Sequence, residues 1–78
     1  MSARVLVTTV AMPRDHEMRF EVGEHQGERR LYVRVFGPPS TPAMLRFPDK
    51  PHLTIPVGDI GAVVAALAEV QTVERGDA

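Results

Sequence analysis

The sequence predicts an α+β fold, in which an antiparallel β-meander of four to five strands is followed by one C-terminal amphipathic helix packed across the sheet. Apolar residues alternate at a period of two in several segments before residue 56, and glycines and prolines separate these segments. After residue 56 the period lengthens to that of a helix. The 78 residues have room for a single domain with a modest core, in which we expect residues 1–3 and 74–78 to be flexible.

The first three strands follow from the alternation of side chains. Residues 4–12 are rich in Val and Thr and end at Pro13, which favours a strand. Residues 18–22 alternate apolar with charged side chains and predict a second strand. Residues 29–36 predict a third, and the glycines of residues 23–28 make a hairpin the natural connection between the second and third strands.

The third strand has two different faces. Leu31, Val33 and Val35 point to one side, which we expect to pack on the helix. The other side, called here the basic-aromatic face, is expected to stay open and consists of Arg30, Tyr32, Arg34 and Phe36.

The rest of the chain supplies a loop, two short strands and the helix. Residues 37–42 contain three prolines and predict a loop. Residues 43–47 and 52–55 predict a fourth and a fifth strand. The helix is predicted from about residue 56 to about residue 73, because apolar residues recur there at spacings of three and four. Val63 and Val70 widen its apolar stripe, which indicates either a broad core face or a dimer interface with a second copy.

Composition limits the function. The formal net charge is −1 and there is no cysteine, so disulfides and thiolate metal sites are excluded. Self-association is then the common way to stabilise so small a domain. The first seven residues are too short and too polar a segment for a signal peptide, so we expect a cytoplasmic protein.

The basic-aromatic face suggests single-stranded nucleic acid as a ligand. Aromatic rings stack on bases and guanidinium groups contact phosphates. Local clustering has to provide the positive charge, since the whole chain is slightly acidic. Cations do cluster between residues 29 and 50, where Arg46 and Lys50 add to the arginines of the third strand.

The alternative is a small protein-interaction module, either an adaptor or an inhibitor. In this interpretation Tyr32 and Phe36 anchor a protein interface, and the near-zero charge is natural. The arginines of the third strand also have a purely structural explanation, because arginines on a strand often pair with glutamates on the neighbouring strand, and Glu21 is a suitable partner. The two functions differ in their response to salt, because phosphate binding weakens steeply with ionic strength and an apolar interface does not.

Three segments resemble the positive-cofactor-four type of transcriptional coactivator, which belongs with the Whirly and Pur-alpha proteins. They are Met18-Arg19-Phe20, then Leu31 to Phe36 after the glycine turn, and Lys50-Pro51-His52-Leu53-Thr54-Ile55-Pro56 before the helix. The resemblance covers residues 18–70. It implies a meander-plus-helix fold, dimerisation through the helix, single-stranded DNA held against curved sheets and a role in transcription.

The resemblance also assigns residues. Arg34 and Phe36 match the family's basic-then-aromatic pair, Arg19 matches a basic residue on the preceding strand, and Lys50 lies in the family's basic loop. The candidate nucleic-acid-binding residues are therefore Arg19, Arg30, Tyr32, Arg34, Phe36, Arg46 and Lys50. The expected partners are single-stranded DNA or RNA, a second copy of the chain, and a larger protein, with no membrane.

Catalytic and metal sites are not expected. His16, His25 and His52 are widely spaced and have no thiol near them, which argues against a metal site. Neither a nucleophile elbow nor a glycine-rich phosphate loop is present in the sequence. We therefore predict a protein that is not an enzyme and needs no cofactor.

Overall fold

A computed structural model describes residues 3–76. Its four strands form one antiparallel sheet in the order β1-β2-β3-β4, and a helix follows the last strand. The strands are β1 (Val5–Met12), β2 (His16–His25), β3 (Glu28–Phe36) and β4 (Leu53–Pro56). The helices are α1 (Ala43–Arg46) and α2 (Ile60–Glu74), and short 3-10 turns lie at Pro13–Asp15 and Val57–Asp59. The predicted α+β class, a meander followed by a C-terminal helix, is confirmed.

The predicted hairpin joins β2 to β3. His25 pairs with Glu28, so only two residues form the turn. Gln26 has a φ of 52° and Gly27 a φ of 79°, which is the left-handed pair that a type I′ turn requires. Glycine at the second position adopts this conformation without the steric cost that a side chain would add.

The first predicted strand joins the sheet of its own chain. β1 pairs with β2 along its length, with an irregularity between Leu6 and Thr8. It forms one edge of the sheet, and β4 forms the other.

The segment between β3 and β4 differs from prediction. The strand predicted at residues 43–47 is wrong, since residues Ala43–Arg46 form the single helical turn α1. Ala, Met, Leu and Arg are all good helix formers, and the carbonyl of Pro42 accepts the amides of Leu45 and Arg46 at 2.9 Å. The strand predicted at residues 52–55 is confirmed as β4 with a shift of one residue.

His52 extends the pairing of β3 beyond β4. Its backbone N–H donates to the carbonyl of Val33 at 2.8 Å. Its Nδ1 atom accepts the N–H of Val35 at 3.2 Å, so a side chain replaces the backbone carbonyl that another strand residue would supply.

The helix ends where it was predicted to end, but α2 begins at Ile60, after the 3-10 turn at Val57–Asp59, rather than at about residue 56. Its packing also differs from the prediction. No residue of α2 is buried, and Leu67, in the middle of the expected core stripe, is 64% exposed. Among the described residues, α2 packs mainly against the adjoining turn at Val57–Asp59 and has few contacts with the sheet. An apolar stripe shows that a helix has surface to bury, but it does not specify which chain buries it.

The whole chain is extended rather than compact. It exposes 6032 Å², whereas a compact monomer of 8.6 kDa is expected to expose about 4,700 Å². Its radius of gyration is 14.7 Å, against about 11.5 Å for a compact domain of this length. The dimensions of 41 × 37 × 16 Å describe a flat molecule that buries little of its apolar surface by itself.

Candidate interaction surfaces

The strand register defines two sheet faces, because residues opposite each other on antiparallel strands point to the same side. Glu21 lies opposite Tyr32, and Glu17 lies opposite Phe36. These residues share the basic-aromatic face. Phe20 lies opposite Val33 on the other side of the sheet, which is called here the apolar face.

The basic-aromatic face is not open, contrary to expectation. Tyr32 is 7% exposed and Phe36 is 6% exposed, which places both rings among the most buried side chains of the described residues. Stacking a base on either ring would first require that the side chains over it move away. The two rings belong to the core of the protein.

The side chain of Arg4 covers the Tyr32 ring. The guanidinium of Arg4 lies 4.1 Å from the centre of the Tyr32 ring, within the range of a cation–π contact. The side chain of Arg4 passes over Gly23, which has no side chain to obstruct it. A Cβ atom added to Gly23 would lie only 3.3 Å from the Arg4 Cγ atom. A residue at the start of the chain thus covers a ring in the third strand.

Phe36 is covered by two guanidiniums and a second ring. Arg19 and Arg34 lie 4.2 Å and 5.0 Å from its ring centre. Phe47, which follows α1, meets it edge-to-face with 5.5 Å between ring centres. Arg46 in turn lies 4.7 Å from the centre of the Phe47 ring.

The charge of Arg34 is neutralised by Glu21, the partner that the sequence suggested for the arginines of this strand. The Arg34 Nε and Nη2 atoms donate to the two carboxylate oxygens of Glu21 at 2.8 Å and 2.9 Å. The Nη1 atom donates to the carbonyl of Pro48 at 3.1 Å. The Arg34 and Glu21 side chains are 20% and 12% exposed, so this fork-shaped pair is largely withdrawn from water.

Two further arginines of this face also have carboxylate partners. Arg19 donates from Nε to Glu17 at 2.7 Å. Arg30 pairs with Glu28 and donates to the Thr54 hydroxyl at 2.8 Å. A phosphate would therefore have to compete with a bound carboxylate at each of these positions.

The two remaining cationic candidates lie outside the strands. Arg46 donates from Nε to the carbonyl of Gly37 at 3.3 Å, and Lys50 is exposed in the loop before β4. Arg46 shares an open cleft of about 600 Å³ with Phe36, Phe47 and Arg19. Asp15 and Glu17 also line this cleft and balance its two arginines.

The apolar face is only partly covered. Val33 and Ile55 are buried, and the side chains around them are half-buried or exposed. The partly exposed members are Val5 and Val10 on β1, Met18, Phe20 and Val22 on β2, Leu31 and Val35 on β3, and Leu53 on β4.

Helix α2 adds a second uncovered apolar area. Its first nine residues, 60–68, contain no polar side chain. Of the two predicted dimer-interface residues, Val63 is half-buried and Val70 is 59% exposed. A helix that is apolar on all sides is normally found buried, so this one lacks its cover in the single chain.

The described residues show neither a metal cluster nor a membrane helix. Within residues 3–76, no three or more His, Asp or Glu side chains gather where they could hold a metal ion. No helix in the same range is long and apolar enough to cross a membrane.

Sequence reasoning missed the residues that cover the two rings. Arg4 and Phe47 are far in sequence from their targets, and no local pattern marks the contacts. Glu17 carried a signal, since it lies two residues from Arg19 on the same side of an alternating strand.

Comparison with known proteins adds no identification, because no protein family, curated protein or solved structure matches this chain. The resemblance to the positive-cofactor-four proteins remains a prediction from sequence.

Proposed function

We propose that this chain is a small protein-interaction module that binds a protein partner through its apolar surface. That surface consists of the partly exposed side chains of the apolar face together with α2. It replaces the basic-aromatic face as the protein interface, because the rings of that face are already buried. The cytoplasm is the compartment that we propose for it.

The observation that carries the proposal is the exposure of α2. Val64, Leu67 and Val70 are 57%, 64% and 59% exposed, and covering each would stabilise a complex by about 1 to 2 kcal/mol. Isolated helices shorter than about 12 to 15 residues are marginal in water, and α2, with 15 residues, is only at the upper end of that limit. A helix this apolar and this exposed gains most of its stability from a partner.

Two kinds of protein fit this surface. A second copy would use α2 as its dimer interface, with Val63 and Val70 in the contact, and a larger protein would receive α2 in a groove. Both are protein contacts dominated by apolar burial, so both keep their affinity when salt is raised.

Single-stranded nucleic-acid binding stays a prediction with weaker support. The paired guanidiniums of Arg19, Arg30 and Arg34 and the buried rings leave Arg46 and Lys50 as the candidates best placed to contact phosphate. A titration of labelled single-stranded oligonucleotide at low salt tests this directly. Tight binding that is lost at raised salt would favour nucleic acid over the protein-interaction proposal.

The proposed function is tested by comparing the purified protein with the variant Leu67→Glu. Light scattering gives the mass of each, and an environment-sensitive dye reports exposed apolar surface. We expect the wild type either to bind the dye or to cover α2 by self-association, and the variant to bind less dye and to lose the association that depends on α2. A wild-type monomer that binds no dye would mean that α2 folds back on its own sheet, which would refute the proposal.

A further inference from the structure

The outer edge of β1 is an exposed sheet edge with little protection. β1 lies at the end of the strand order, so its outward N–H and C=O groups have no strand beside them among the described residues. Its eight residues contain neither a charge nor a proline, and all except Met12 are exposed. Natural proteins usually protect a long edge of this kind with charges, prolines, β-bulges or a covering segment. Of these, β1 has only the irregularity between Leu6 and Thr8, and the residues from Thr8 to Met12 pair regularly with β2.

The opposite edge does carry such protection. β4 has four residues and ends at Pro56. Just before β4, the side chain of His52 accepts the N–H of Val35 and so covers the edge of β3. The turn at Val57–Asp59 directly follows β4. The contrast between the two edges indicates that β1 is adapted to receive another strand.

We propose that β1 pairs antiparallel with β1 of a second copy, which joins two four-stranded sheets into one sheet of eight strands. A twofold axis perpendicular to the sheet relates the copies. The axis keeps both apolar faces on the same side, so that Val5 and Val10 of each copy meet at the junction. Thr8 and Thr9 lie at the middle of the new pair, where cross-strand threonine contacts are favourable.

A second copy fits this edge better than a foreign strand for two reasons. β1 has no charged side chain that could select a partner by charge, whereas pairing with itself brings no like charges together. Pairing with a second copy also brings exposed apolar side chains of β1 together, since Val5 is 64% and Val10 is 45% exposed and both lie on the apolar face. A charged or polar foreign strand would leave these side chains without an apolar neighbour.

This interface shares only Val5 and Val10 with the surface of the proposed function, because its backbone pairing uses the edge of β1 and leaves α2 free. Either proposal can therefore fail alone.

Disulfide trapping tests the pairing, since the natural chain has no cysteine. Single substitutions Thr8→Cys, Thr9→Cys and Val10→Cys are oxidised and run on a non-reducing gel. Twofold pairing brings one position close to its own equivalent, so one of the three should give about tenfold more linked dimer than its neighbours. Ser40→Cys, in the exposed loop before α1, is the matched control and should give little.

Charge substitution gives an independent measurement. Thr9→Lys alone and Thr9→Glu alone each place like charges at the junction and should weaken dimerisation by about fivefold or more. An equimolar mixture of the two variants should restore the dimer, as measured by light scattering.

Three results would overturn the inference. The wild type could remain monomeric at every concentration, the β1 cysteines could link no better than Ser40→Cys, or the mixture could fail to recover. Val70→Cys, on α2, is a second control for the case in which the β1 cysteines do not link. A dimer that this variant alone traps would place the contact on α2, so that the inference would be refuted and the proposed function would stand.

Discussion

The buried pair of Glu21 and Arg34 gives the sharpest test of how the basic-aromatic face is built. Glu21 is 9% exposed as a whole residue and accepts two hydrogen bonds from Arg34. In Glu21→Gln the size is preserved, but the charge is lost and the new amide NH₂ points at a guanidinium donor. Arg34 then remains charged and largely buried without a counterion.

The expected cost of Glu21→Gln is about 3 kcal/mol, the low end of the range for breaking a buried ion pair, because both side chains keep some contact with water. A chain of 78 residues is expected to have a total stability of only about 4 to 12 kcal/mol. The variant should therefore unfold at a midpoint at least about 12 °C lower. Urea denaturation and calorimetry measure both quantities.

The matched control is Glu28→Gln, which removes the partner of Arg30 at a site where the glutamate side chain is 53% exposed. It should cost less than about 1 kcal/mol. The double variant Glu21→Gln/Arg34→Met should be more stable than Glu21→Gln alone, because it removes the unpaired charge and keeps packing on Phe36. Equal costs for the two glutamine variants would refute the view that this face is an internal, partly buried network.

Three further outcomes follow from the structure. Phe36→Ala should destabilise the fold by about 3 to 5 kcal/mol in urea denaturation, since the ring is 6% exposed; a loss of oligonucleotide binding with unchanged stability would contradict this. Gly27→Ala should cost about 1 kcal/mol because φ is +79°, whereas Gly58→Ala should not show this cost, because its surroundings are equally open and its φ is not positive. Leu67→Glu should change the stability of the monomer by less than about 0.5 kcal/mol while weakening association in light scattering, and a large loss of monomer stability would show that Leu67 is part of its core.

The elements that were predicted correctly from the sequence are those determined by residues close together in the chain. The hairpin depends on Gly27 and on two alternating strands, and both are visible in the sequence. The presence of α2 follows from apolar spacing after Pro56, and its end follows from the glycine at residue 76. The pairing of Arg34 with Glu21 was also foreseeable, because adjacent strands bring the two residues within diagonal reach.

The errors concern contacts between distant parts of the chain. Alternation showed that Tyr32 and Phe36 share a face, but burial of that face depends on Arg4 and on Phe47, whose positions the sequence does not indicate. The segment around α1 was too short for propensity to separate strand from helix. The exposure of α2 could not be predicted, since periodicity does not say whether a helix is covered by its own sheet or by another protein.

Hydrogen exchange of the α2 backbone amides tests the central claim most directly. It is measured by mass spectrometry on the wild type, first at a dilution where light scattering gives a monomer, and then at high protein concentration or with a protein partner. The account predicts rapid exchange throughout α2 in the monomer and strong protection once its apolar surface is covered. Strong protection of α2 in the dilute monomer would contradict it, because the helix would then be stabilised by its own chain and no interaction surface would remain.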